Sequence, residues 1–567
     1  MKLLIVLIVL LTCYCPVYTQ QVSVAALEDP SFDSDFARRP IPLVTGQLIN
    51  FSPEDVPKAT ISYALVTLLG QVRKTAALAP DGSFRLELDY PLPYQQIWFS
   101  VGDFFYAGLY ANKDLHVEVD IKKVKAAGGK VLFNGDAVNY SGTDGVLTTY
   151  LNDYVLFRRA EQQALLARLH QIPRSTHPEA AIVQTVYRPI FDSLKMIQDD
   201  YVARHPSAYD WLLENERLSQ YYGMICVYYW GHAMENELFE TIKKHKTYLI
   251  SNNSTGFYRY LSTYFTSHPA SKVTSDWKDA ALASNLSETE RAAADSLRFS
   301  ETHSPTPPYT TANMQKWKKL LQPRIQQIWQ LKTIDKCMHL LDSILPPARA
   351  DLMKLQLNDS KDINEQQSAL ARILPGMQTN WCRQIALKEY EHTAGKIEII
   401  NKALASPGNT ATASGFGKPL FQTDFGATLY TISNMKGTDF LANLRKSFPG
   451  KAIVFDLWAT WCAPCLSAMP HSKMLQQSSQ DLPVVFVYVC TIKDSNESRW
   501  KTKVAELKLP GIHFFIDEAL DAELAQYFSF SGYPGYALID QNGIYKAGVI
   551  KSITDVKDRA ALADLLK

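Results

Sequence analysis

The apolar run Ala452-Ile-Val-Phe-Asp-Leu-Trp458, followed at once by Ala-Thr-Trp-Cys-Ala-Pro-Cys465, constrains this chain more than any other stretch. A continuous apolar segment of that length reads as a strand buried on both faces, as in parallel sheets. The residues from Cys465, Leu-Ser-Ala-Met, read as the opening of a helix. The strand therefore passes into a helix through the two cysteines, which calls for an α/β layer arrangement. It also sets Cys462 at a helix N-terminus, where unpaired backbone N–H groups and the positive end of the helix dipole favour a thiolate. Two cysteines spaced in this way form a redox dithiol, with Cys462 as the attacking sulfur at an exposed edge and Cys465, one turn inside, as the shielded resolving thiol. A plain disulfide or half of a metal site would leave the flanking Trp461, Pro464 and Asp456 without a reason.

The 567 residues exceed one ordinary core, and at roughly 100 to 200 residues per domain they predict three or four units. Lys and Arg number 58 against 57 Asp and Glu, so no bulk field attracts nucleic acid, and nucleic-acid binding is excluded as a reading. Met1-Lys followed by the apolar run to Leu11, a break at Pro16 and a polar continuation at Gln20 has the layout of a secretory signal peptide, residues 1–19. The run is short of the roughly 20 residues that span a bilayer. Export to a periplasm or cell envelope is the prediction. Beyond the signal remain Cys226, Cys337, Cys382, Cys462, Cys465 and Cys490. They are too sparse for a disulfide-stapled scaffold and lack the spacing of a zinc site. A Cys337–Cys382 disulfide and a regulatory role for Cys490 stay open, the alternative for Cys490 being an ordinary buried cysteine.

From about Val44 to Val131, short alternating runs broken by turns such as Pro80-Asp-Gly-Ser predict antiparallel strands in a small β-sandwich, domain 20–143. Helical spacing takes over in 144–405, with Ile325, Ile328, Leu331, Ile334, Met338 and Leu341 on one face and Pro305, Pro307 and Pro308 punctuating the middle. The cluster Tyr221, Tyr222, Tyr228, Tyr229 and Trp230 reads as core rather than ligand groove. A small-residue stretch, 406–417, predicts a flexible linker. Strand and helix then alternate through 418–567, a mixed α/β sheet.

These last residues resemble the thioredoxin superfamily, and in particular its exported TlpA/ResA-like thiol-disulfide oxidoreductases. The resemblance rests on Trp461-Cys-Ala-Pro-Cys465, on Pro470 five residues past the second cysteine, on Asp456 in the preceding strand, and on Gly532-Tyr-Pro-Gly-Tyr-Ala-Leu-Ile-Asp540, which looks like the cis-proline strand. It implies a cis peptide before Pro534, substrate docking beside Trp461, Tyr533 and Pro534, structural roles for Pro464 and Pro470, and Asp456 as proton acceptor from Cys465. It implies no cofactor beyond the Cys462–Cys465 disulfide itself. Its partners would be protein disulfides and a membrane thiol electron donor. The region before it resembles, less specifically, the β-sandwich and helical extension of Bacteroidetes envelope proteins.

Three positions depart from the pattern: Ala468 where a Glu is frequent, no lysine in Pro483-Val-Val-Phe-Val-Tyr-Val-Cys490, and Gly535 where Thr commonly follows the proline. An unpaired buried Asp456 should have a raised pKa, and Gly535 predicts a looser docking loop. Reduction of protein disulfides is the favoured direction. The alternatives are a disulfide oxidase or isomerase, or an envelope binding protein in which the redox domain is auxiliary.

Overall fold

A computed structural model describes residues 25–566, apart from 57–58, 103–104, 129–134, 170, 173–177, 284–285, 303–309, 359, 361–362, 406–412 and 531. The expected signal peptide, the three prolines near 305 and most of the expected linker lie outside the described residues. The chain divides into two compact units, one of residues 1–357 and 375–384, the other of 358–374 and 385–567.

The first unit opens with eight strands, β1 (Leu43–Ile49), β2 (Thr60–Thr67), β3 (Gly70–Ala77), β4 (Ser83–Leu86), β5 (Gln95–Val101), β6 (Phe105–Ala111), β7 (Asp114–Asp120) and β8 (Val138–Ser141). They form two four-stranded sheets in the orders β4-β1-β7-β8 and β3-β2-β5-β6. Alternation turns one side of each strand inward, so Val44, Phe84 and Val117 of one sheet meet Ile61, Phe99 and Leu109 of the other in a single core. The Phe84 and Phe99 rings stack at 5.3 Å. This is the predicted sandwich, with one parallel pairing, β1 with β7. Period-two alternation is the same in both pairings and does not reveal which neighbour a strand takes.

Helices then run from Gly145–Leu156 to Pro347–Leu355, the longest being Thr311–Ile344. Of the aromatic cluster, Tyr228 and Tyr229 are buried and Trp230 is exposed, and the Tyr229 hydroxyl donates to Glu235 at 2.7 Å. Cys226, Cys337 and Cys382 are each buried and free, so the Cys337–Cys382 disulfide is not formed.

The second unit is built on seven strands, β9 (Phe421–Gln422), β10 (Ala427–Ile432), β11 (Ala452–Trp458), β12 (Val484–Thr491), β13 (Gly511–Ile516), β14 (Gly535–Ile539) and β15 (Tyr545–Lys546), in the order β15-β14-β11-β12-β13-β10-β9. The four central strands β11, β12, β13 and β10 pair in parallel, and β14, β15 and β9 add antiparallel edges. Every residue of β11 is buried, as a central strand covered on both faces requires. One face packs under the helix Ala463–Ser478 around Val454, Trp458, Met469 and Phe486. The other packs under Gly437–Ser447 and Glu518–Phe528 around Phe455, Val487 and Phe514.

Two features precede the expected start of this unit. Residues of Ile363–Ile373 and Asn380–Ala405 belong to it: Ile363 and Ile400 bury against Ala505, and Arg499 pairs with Glu365. The chain is also packed from Ala413 onward, where the sequence reads as linker. The Ala413 N–H donates to the Tyr430 hydroxyl at 2.7 Å, and the Phe416 ring lies 4.6 Å from that of Phe514.

Candidate functional site

Cys462 caps the 463–478 helix and is joined to Cys465 in a disulfide. The Cys465 N–H donates to the Cys462 sulfur at 3.1 Å, so one of the unpaired donors of the helix start already points at the sulfur that would carry charge. Pro464 occupies the first turn, where its missing N–H removes no helical bond, and Pro470 lies inside the same helix. Cys462 is only 3 % exposed and Cys465 1 %. The sequence placed Cys462 at an exposed edge; it instead belongs to the buried cluster that also holds Trp458, Ala459 and Cys465.

Asp456 is buried in β11, its Oδ1 without a hydrogen-bond partner among the described residues. Burial pushes its carboxyl up to about 8, because the anion is denied water. The strand register puts Tyr488 of β12 beside it on one side and Tyr536 of β14 on the other, and His513 of β13 beside Tyr488. The four make a polar row across the sheet face that lies under the 463–478 helix. Tyr488 exchanges a hydrogen bond with Ser472 at 2.8 Å and stacks on His513 at 4.9 Å. Burial lowers the His513 imidazole to about 4, so it is neutral. Both phenols are held well above their usual range by burial and then by the Asp456 charge. The Tyr536 hydroxyl, like Asp456 Oδ1, has no partner among the described residues.

In front, the Tyr533–Pro534 peptide is cis. The Tyr533 ring meets that of Trp461 edge-on at 5.6 Å, and its hydroxyl donates to Asp521 at 2.6 Å. The Trp461 indole N–H donates to the Lys493 carbonyl at 2.9 Å. Gly535 is buried in β14, and a Cβ there would come within 2.5 Å of the Phe530 ring. The position after the proline is thus closed by an aromatic side chain, in place of the looser loop the glycine suggested. Cys490 is buried and free on the active-site face of β12.

Of the residues singled out in the sequence, Cys462 and Cys465 are joined, Trp461 meets Tyr533, and Asp456 lies in the central strand β11. Tyr488, Tyr536, His513 and Asp521 were not foreseen. Among the described residues no cluster of His, Cys, Asp or Glu could hold a metal ion, and no helix is long and apolar enough to cross a membrane.

The family described as Redoxin matches residues 429–565. Among solved structures, the thioredoxin domain of a thiol-disulfide oxidoreductase from Bacteroides vulgatus is 20 % identical over 22 % of this chain and 84 % of that one, with a TM-score of 0.20. A putative thiol-disulfide oxidoreductase from Bacteroides vulgatus is 28 % identical over 22 % and 78 %, at 0.19. A thiol:disulfide interchange protein from Chlorobium tepidum is 20 % identical over 22 % and 85 %, at 0.20.

Proposed function

We propose that the chain is an exported reductase of protein disulfides, working in a periplasm or cell envelope through Cys462 and Cys465, with residues 429–565, which match the Redoxin family, as its thioredoxin-like thiol-disulfide oxidoreductase domain. The observation that carries this is a helix-capping disulfide, its Cys462 sulfur already accepting a backbone N–H, in a domain whose buried Asp456 carboxyl has no counter-charge among the described residues.

In the reduced enzyme, Cys462 thiolate attacks one sulfur of a substrate disulfide. A bond forms between Cys462 and that sulfur, the substrate S–S bond breaks, and the first substrate thiolate leaves and is protonated. Cys465 then gives its proton to Asp456 and attacks the Cys462 sulfur, releasing the second substrate thiolate and closing the Cys462–Cys465 disulfide. Two electrons pass from enzyme to substrate, and the proton held on Asp456 returns to solvent or to the departing thiolate. Trp461, Tyr533 and Pro534 border the sulfurs and would receive the extended substrate segment, with Pro464 and Pro470 shaping the helix that presents them. Each further cycle requires a thiol donor, which for an exported protein points to a membrane thiol carrier.

The test is the reduction potential of the Cys462–Cys465 pair, equilibrated against thiol buffers with Cys462→Ser as control. A value near or below about −250 mV supports a reductase, and one above about −180 mV makes the protein an oxidant or isomerase. A pair that never cycles leaves the domains before it as the working part.

A further inference from the structure

The rings of Trp461 and Tyr533 stand edge to face beside the dithiol, and each is fastened at its polar tip. Trp461 is tied through its indole N–H to the Lys493 carbonyl just past β12. Tyr533 is tied through its hydroxyl to Asp521 of the helix Glu518–Phe528. Thr491, the last residue of β12, lies beside both Asp521 and Tyr533, and its hydroxyl accepts the Lys493 N–H at 3.1 Å. The two anchors thus converge on one corner of the fold. What they hold is not closed core. Trp461 is 45 % exposed and the neighbouring Ile492 40 %, so the anchored pair presents an apolar ledge next to the sulfurs.

Asp521 is 8 % exposed; its Oδ2 accepts the Tyr533 hydroxyl, its Oδ1 has no partner among the described residues, and burial pushes its carboxyl up. The 2.6 Å bond from the Tyr533 hydroxyl is short for an O–H···O pair. Ordering a ledge before a polypeptide arrives removes part of the entropy that binding must otherwise supply. A small disulfide, which reaches only the sulfurs, gains nothing from it.

Resting on the reductase reading above, we propose that Asp521 is a positioning residue: acting through the Tyr533 hydroxyl, it fixes the Trp461–Tyr533 ledge and so favours disulfides carried on extended polypeptides over small disulfides. The residue touches no reacting atom.

The experiment compares full-length wild type, Asp521→Ala, Asp521→Asn, Tyr533→Phe and the Ala/Phe double variant, each reduced, with insulin and with a small aromatic disulfide as probes. Asp521→Ala is expected to lower kcat/KM toward insulin about tenfold, a loss in the range that slight misplacement of a docking group produces. Its rate with the aromatic disulfide and the potential of the Cys462–Cys465 pair stay within about twofold of wild type. Asp521→Asn, which keeps an acceptor for the phenol, restores most of the insulin rate. Tyr533→Phe reproduces the Asp521→Ala loss toward insulin, and the double variant adds nothing to it, as two residues acting through one bond require. Equal losses with both probes, a loss with Asp521→Ala that Tyr533→Phe does not share, or an unchanged insulin rate in both overturns the proposal. Were the wild-type dithiol inert toward both probes, the reductase reading would fall and this inference with it.

Discussion

Replacing Asp456 by Asn separates the two halves of the exchange. The carboxyl sits at about 8, so at pH 7 only about a tenth of it is ionised and able to take the Cys465 proton. A positioned base contributes roughly 10²- to 10⁴-fold, and the one-in-ten ionisation reduces the usable part at pH 7 to about 10- to 10³-fold. The resolving step should therefore climb about tenfold from pH 7 toward a plateau above pH 8, following the ionised fraction of Asp456. In Asp456→Asn the plateau is lost, and the step tracks the thiol of Cys465 alone. The first attack, made by a sulfur at the helix cap, should change little. An aromatic disulfide that releases one coloured thiolate at each step resolves the two by stopped flow, because the first phase depends on probe concentration and the second does not. Equal slowing of both phases, or a second phase whose pH profile is the same in wild type and variant, would refute the assignment of Asp456 as the base.

The same carboxyl links stability to pH: it stays neutral in the fold until about 8 but ionises near 3.9 when unfolded, so the native state holds the extra proton. Stability should be full below pH 4 and decline toward pH 8 by an amount on the order of 5 kcal/mol, a slope that hydrogen exchange of the β11 amides should show in wild type and not in Asp456→Asn. Gly535→Ala forces a Cβ into the Phe530 ring and should cost about 2 kcal/mol, read as a melting temperature lower by about 5 °C; an unchanged melt would mean that the ring moves away freely. Ile400→Ala removes a side chain buried against Ala505 and should cost about 2 to 3 kcal/mol, seen as faster proteolysis within 385–405, and equal cleavage rates would count against that packing.

Much of the site was legible because its parts sit in short strings. Trp461 to Cys465, Asp456 five residues before Trp461, and Tyr533-Pro534 just before a strand each declare themselves locally. The polar row was not, since Tyr536, Asp456, Tyr488 and His513 become neighbours only through register across four strands, and nothing in 484–491 says which residue will face an aspartate. Asp521 was hidden for another reason. It stands among Glu518 and Glu523 on one short helix, where an acid reads as a solvated surface charge. The burial of Cys462 is likewise invisible to spacing. The sandwich followed from alternation, whereas the parallel β1–β7 pair did not.

The division of the chain at 357, 374 and 384 bears on how such a protein could arise and be made. Backbone leaves the first unit, enters the second, returns and leaves again, so no single break in the gene or the polypeptide yields both pieces whole. A redox domain appended by simple end-to-end fusion would need one crossing. Three crossings make recombination at the apparent linker an unproductive event, because it would strip Ile363 and Ile400 from the unit they bury in. On the ribosome the same order imposes a schedule: the first unit lacks its final segment, 375–384, until after residues 358–374 of the second have been synthesised. A boundary drawn at 406–417 would therefore leave part of the second unit's core behind.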